Sequence, residues 1–102
     1  MRVLVLVRPQ FPTPPEQMAT LIPGMVQWRE RSRRYMESFD FFAGSQGGCG
    51  ILNVPDEATL NQVMLAFPFA LTSTVEVHPL LDGDVALQQY QQLLQTMAAT
   101  SS

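Results

Sequence analysis

Apolar residues in this chain recur at the two-residue period of a strand in some stretches and the 3.6-residue period of a helix in others. The order in which these periods alternate constrains the fold more than any other feature. After Arg2, residues 3–7 read VLVLV, continuous, aliphatic and bounded by Pro9, which predicts a strand buried on at least one face. The run PQFPTPP at 9–15 permits only an irregular or extended connector. Pro14 and Pro15 then follow Thr13, a candidate N-cap, with Glu16 in the first turn of a helix. Met18, Leu21, Ile22, Met25, Trp28, Ser32, Tyr35 and Phe39 recur at helical spacing. Pro23-Gly24 interrupts that stripe, and an internal proline removes a hydrogen bond and clashes with the preceding turn, so a kink or break is expected there.

FDFFA at 39–43 and CGILNV at 49–54 read as two further strands, with the stretch AGSQGGCG between and overlapping them. A phosphate-binding loop needs a Lys-Ser/Thr and a helix after its last glycine, whereas Cys49-Gly50 leads into a strand. The stretch is therefore a hairpin, with Gly47-Gly48 supplying positive φ and with Gly44 and Gly50 as side-chain-free spots. DEATLNQVMLAF at 56–67 is helical, with Asp56 or Pro55 at its entry, Leu60, Val63, Met64 and Phe67 buried, and Pro68 ending it. STVEVHPL alternates, placing Val75 and Val77 on one face and Thr74, Glu76 and His78 on the other. DVALQQYQQLLQTMAA at 84–99 is a last helix with a glutamine-rich polar face.

The order β-α-β-β-α-β plus a C-terminal helix predicts an α+β, ferredoxin-like fold: a four-stranded antiparallel sheet with two helices on one face. Residues 1–98 form one domain in this reading, with a disordered tail over 99–102. The second sheet face is left bare, and Leu4, Leu6, Phe42 and Cys49 or Ile51 are its candidate residues. Pairing two sheets back to back would bury them.

At 102 residues the chain holds one core, and with 46% hydrophobic and only 15% charged residues it folds but leaves apolar surface, so self-association is expected. The net charge is −3 and all six basic residues are arginine. Four of them lie in RERSRR at 29–34, beside Glu30 and Glu37, without the basic excess that nucleic-acid binding requires. One cysteine and one histidine are too few for a Cys/His metal site. MRVLVLV is far shorter than the ~18 residues of a membrane span and lacks a signal-peptide cleavage site. A soluble, cytoplasmic protein with no membrane partner is the expectation.

The segment ILNVPDEATLNQVMLAFPFALTSTVEVHPL, residues 51–80, resembles the muconolactone isomerase family. The shared pattern is a strand ending in Asn53-Val54-Pro55, a short leucine-rich helix, the break Phe67-Pro68-Phe69 and a last strand with Val75-Glu76-Val77. The resemblance implies a dimeric α/β barrel, often assembled further, that performs cofactor-free proton transfer on small lactones or related acids. The family looks to carry His and Lys on its first strand, where this chain has VLVLV, so that wall would be more apolar here.

The candidate catalytic residues are Glu76, His78 and Tyr35. Imidazole exchanges protons near neutrality, and a buried carboxylate with a raised pKa removes a proton beside a carbonyl. His78 is otherwise a rim residue, and Glu76 otherwise pairs with an arginine of a second subunit. Tyr35 can donate to a developing enolate. Arg8 or Arg31 can hold a carboxylate through paired N–H donors. Trp28 shapes a pocket or packs the core, and Asp40 and Asn53 add polar groups. Cys49, between glycines in a strand, reads as a small packing residue rather than a nucleophile.

The resulting expectation is a cofactor-independent isomerase, cyclase or dehydratase acting on a small carbonyl or carboxylate compound as a homodimer or larger homo-oligomer, with no metal. The alternatives are a non-catalytic ligand-binding or assembly partner with the same barrel, or a cofactor-free monooxygenase.

Overall fold

The computed structural model describes residues 1–101 and contains β1 (Arg2–Pro9), α1 (Pro15–Ser32), β2 (Met36–Phe41), β3 (Gly48–Asn53), α2 (Glu57–Leu65), β4 (Ser73–Pro79) and α3 (Gly83–Ser101). Short 3-10 turns at Arg33–Tyr35 and Ala70–Thr72 lead into β2 and β4. The four strands form one antiparallel sheet in the order β2-β3-β1-β4, the ferredoxin-like arrangement that the order of elements predicts.

Strand pairing fixes which residues share a face. Val3, Val5 and Val7 stand opposite Leu52, Gly50 and Gly48 of β3, and Val5 and Val7 stand opposite Val77 and Val75 of β4. This is the face that α1 and α2 cover. Its core joins Val3, Val5, Leu52 and Val54 to Met25 and Trp28 of α1 and to Val63 and Phe67. Val3 and Leu52 are 0% and 1% exposed, and burial of such side chains contributes about 1.5–3 kcal/mol each. On the other face Leu4 and Leu6 pair with Ile51 and Cys49, and all four are half-buried in the isolated chain. Phe42 lies past the end of β2 and borders the helix side instead.

Several local expectations need correction. α1 runs unbroken through Pro23 from Pro15, with Pro14 rather than Thr13 at the N-cap. The hydrogen bond that Pro23 forfeits is outweighed by the anchoring of the following turns, where Met25, Trp28 and Ser32 are buried. β2 begins at Met36, three residues before the expected start, because a register irregularity between Met36 and Ser38 lets the chain pair with β3 directly after the 3-10 turn. In the hairpin, Gly44 and Gly47 carry positive φ (81° and 102°), not Gly48. α2 ends at Leu65, before Pro68, and Asp56 is its N-cap, accepting from the Thr59 N–H at 2.8 Å.

α3 continues to Ser101 and so includes part of the expected tail; Ser102 lies outside the described residues. Leu87, Tyr90 and Leu94 on this helix are exposed. The Cα radius of gyration is 18.4 Å, whereas a compact chain of about 100 residues has roughly 13 Å. No helix among the described residues is long and apolar enough to cross a membrane.

Candidate functional site

A cavity of about 220 Å³ lies between the helix-covered face of the sheet and the helices themselves. Its floor is bare backbone. Gly48 and Gly50 occupy the inward positions of β3, where any other residue would project a side chain toward α1. The neighbouring strand enforces these glycines: a Cβ at Gly48 would collide with the Asp40 carbonyl, and one at Gly50 would lie 3.0 Å from the Ser38 carbonyl. Cys49 belongs by register to the opposite face, so its backbone borders the cavity where the flanking glycines leave it uncovered.

The walls are Val5 and Val7 of β1, Met36, Phe39 and Phe41 of β2, and Met18, Ile22, Met25 and Trp28 of α1, closed by Met64, Phe67 and Phe69. The aromatic wall is ordered by ring contacts: Trp28 meets Phe67 edge-on at 4.9 Å and Phe39 at 6.2 Å. No Asp, Glu, Lys, Arg or His among the described residues lines it. Its polar side chains are Ser45, Gln46 and Thr13 together with Ser73. Gln46 and Thr13 hold each other, the Thr13 N–H donating to Gln46 Oε1 at 2.9 Å and Gln46 Nε2 donating to the Thr13 carbonyl at 3.5 Å. The glycine-rich hairpin is thereby tied to the proline-rich connector beside the cavity.

Of the eight sequence-predicted site residues, only Trp28 lines this cavity. Glu76 and His78 face the open side of the sheet beside Leu6 and Leu4. There His78 Nε2 lies 3.2 Å from Glu76 Oε2, and Arg8 Nη1 lies 3.9 Å from Glu76 Oε1. The Glu76 and His78 side chains are 46% and 55% exposed. Asp40 and Asn53 belong to the same face by register, but Asn53 joins a different group. It hydrogen-bonds Glu37, whose carboxylate is bound by Arg2 at 2.8 Å. Arg2 holds the Glu37 carboxyl below the ordinary carboxylate range, through its hydrogen bond first, and is itself raised by that pairing. Tyr35 sits half-buried in the turn after α1 with the Arg34 guanidinium 4.7 Å from its ring, and Arg31 is exposed on α1. The structure thus gathers Arg8, Glu76 and His78 into one open-face cluster and sets Trp28 apart in the cavity.

The crystal structure of muconolactone isomerase superposes with a TM-score of 0.68 at 19% identity, covering 78% of this chain and 88% of that one. The fold is muconolactone isomerase-like. A second solved structure with this fold is 5-chloro-2-hydroxyhydroquinone dehydrochlorinase (TftG) from Burkholderia phenoliruptrix in complex with 2,5-dihydroxybenzoquinone; its TM-score is 0.65 at 14% identity, covering 82% of this chain and 97% of that one. No family model and no curated protein matches the sequence. The likeness in three dimensions therefore reaches well beyond residues 51–80.

Within this muconolactone isomerase-like fold, Ser73 and Gln46 were not among the residues that sequence reasoning selected, whereas Gly50, read there as a side-chain-free spot, does floor the cavity, with Gly48 beside it in place of Gly44. For Ser73 a signal exists. Extending the Val75/Val77 alternation back by two residues places a serine at an inward position of the last strand.

Proposed function

We propose that this protein is an enzyme of isomerase or lyase type that acts by proton transfer, without a cofactor, on a small carbonyl or lactone compound bound between the sheet and its helices. The observation that carries this reading is the cavity. An apolar cavity of roughly 150 Å³ accepts benzene, so about 220 Å³ walled by aromatic and thioether side chains suits one substituted ring. Both structural neighbours are enzymes, and the dehydrochlorinase was solved with a single-ring carbonyl compound. The test is turnover of a panel of small lactones and hydroxyquinones by the native chain and by Ile22→Trp, which fills the cavity from α1. Turnover lost in Ile22→Trp with the oligomer intact supports the reading. Binding of the panel without any turnover assigns the cavity to a non-catalytic ligand carrier instead.

A second site for the proton transfer is favoured by one observation, the Glu76–His78 contact beside Arg8. It faces the open side of the sheet, which in our reading a second copy covers, burying Leu4, Leu6 and Ile51 in a soluble, cytoplasmic homodimer. Glu76→Gln and His78→Ala separate the two roles. Lower turnover with an unchanged oligomer makes the pair the proton relay; unchanged turnover with weaker association makes it part of the interface.

A further inference from the structure

The cavity has a buried end and an open one. Trp28, at 5% exposure, and Leu52 line its inner part, whereas Ile22, at 37%, and Phe41 line it from exposed positions. Outside it an open groove runs along α1, lined by Pro15, Met18, Ala19, Ile22 and Pro23. Thr13 and Gln46 form its side. Thr13, Met18, Ile22 and Gln46 border both spaces, so cavity and groove meet at these four residues.

Helical spacing accounts for the groove. Positions 15, 18, 19, 22 and 23 follow the i, i+3, i+4, i+7, i+8 pattern of one helix face. Pro15, Ala19 and Pro23 on that face are exposed, and residues 17–28 carry no charge. Pro23 adds an apolar ring there although it costs the helix a hydrogen bond. From Pro15 to Pro23 the helix rises about 12 Å, at 1.5 Å per residue. The groove lies at the mouth of the cavity, so a protein docked on it would seal the cavity, whereas a small molecule can occupy both.

We infer that the ligand spans both spaces: a ring-sized apolar head lies against Trp28, and an apolar tail passes Ile22 and Gln46 and runs along α1 over Ala19. No charged side chain among the described residues lines either space, which suits an apolar molecule along its whole length. This rests on the proposal that the cavity holds the substrate, and it lengthens that substrate beyond a single ring.

The test uses 4-ethylphenol and 4-hexylphenol as probes of the full chain and of Ala19→Glu. Ala19 lines the groove and not the cavity, and glutamate is a good helix former at an exposed position. The indole N–H signal of Trp28, the single tryptophan, reports binding by NMR. A fully buried methylene raises affinity roughly fourfold and a half-covered one about twofold. The four added methylenes should therefore tighten binding at least tenfold in the native chain. Ala19→Glu should remove most of that gain while leaving 4-ethylphenol within twofold. In the native complex, the Ala19 methyl should show a cross-peak to one end of 4-hexylphenol and the Trp28 ring to the other.

If neither probe moves the indole signal, the cavity reading fails and this inference falls with it. If 4-ethylphenol binds but the longer chain adds no affinity, the cavity stands and the groove is overturned. Equal weakening of both probes by Ala19→Glu also overturns it, as does a change of oligomeric state, which would make the groove an interface. Absence of the Ala19 cross-peak overturns the groove even where the variant fails to fold.

Discussion

The Trp28 indole Nε1–H donates to the main-chain carbonyl of Val63 at 2.9 Å, in the buried core. That bond fastens α1 to α2 and holds the ring edge-on to Phe67 as a wall of the cavity. Trp28→Phe removes the donor and leaves the Val63 carbonyl unpaired beside a smaller ring. A loss of about 2–4 kcal/mol is expected from urea unfolding, and an unchanged midpoint would show that the bond does not couple the helices.

Two glycines make opposite predictions. Gly47 has a φ of 102°, and a Cβ there would strike the Val7 carbonyl. Gly47→Ala should therefore destabilise by at least about 1 kcal/mol. Gly83, at the start of α3, has open space around it and no positive φ. Gly83→Ala should raise stability by about 0.4–1 kcal/mol through the unfolded chain's lost freedom. Thermal melts of the two variants should move in opposite directions.

Pro23 interrupts the hydrogen bonding of α1 on an exposed surface. Pro23→Ala is expected to stabilise the protein by up to about 3 kcal/mol, the helix-interior penalty of proline. A melting temperature equal to or below the native one would mean that Pro23 contributes packing that offsets its backbone cost.

Acid should weaken the fold in part through Glu37 and Asp56. Arg2 lowers the first carboxyl, and the Thr59 hydroxyl and N–H lower the second. Because both are more acidic in the folded chain than in the unfolded one, their contribution is complete above the unfolded value. It is lost as pH falls through the folded value. Urea midpoints measured from about pH 7 down to about pH 3 should fall less steeply for Glu37→Gln combined with Asp56→Asn than for the native chain. Parallel profiles would remove these two groups from the acid response.

Much of the frame was legible in the residues. The alternation of VLVLV and STVEVHPL, the Asp56 cap and the glycine-rich hairpin each follow from local chemistry acting over a few positions. They led to the sheet, its order and its open face carrying Leu4, Leu6, Cys49 and Ile51. The start of β2 did not, because a register irregularity at Met36/Ser38 depends on the partner strand rather than on the segment's own period.

The site was less legible. Glu76 and His78 are neighbours on one strand, so their proximity was readable. Their distance from the cavity was not, since period two tells which residues share a face and not what lies above that face. By itself, then, the sequence determined the order of elements, the parity of each strand and the hairpin nature of AGSQGGCG. Only the tertiary structure decided that two glycines of that stretch, at its end, floor an uncharged cavity walled by residues of four strands and two helices. The physical reason is that a cavity exists where side chains from distant segments fail to meet. No local pattern records an absence shared by β3, α1 and β4.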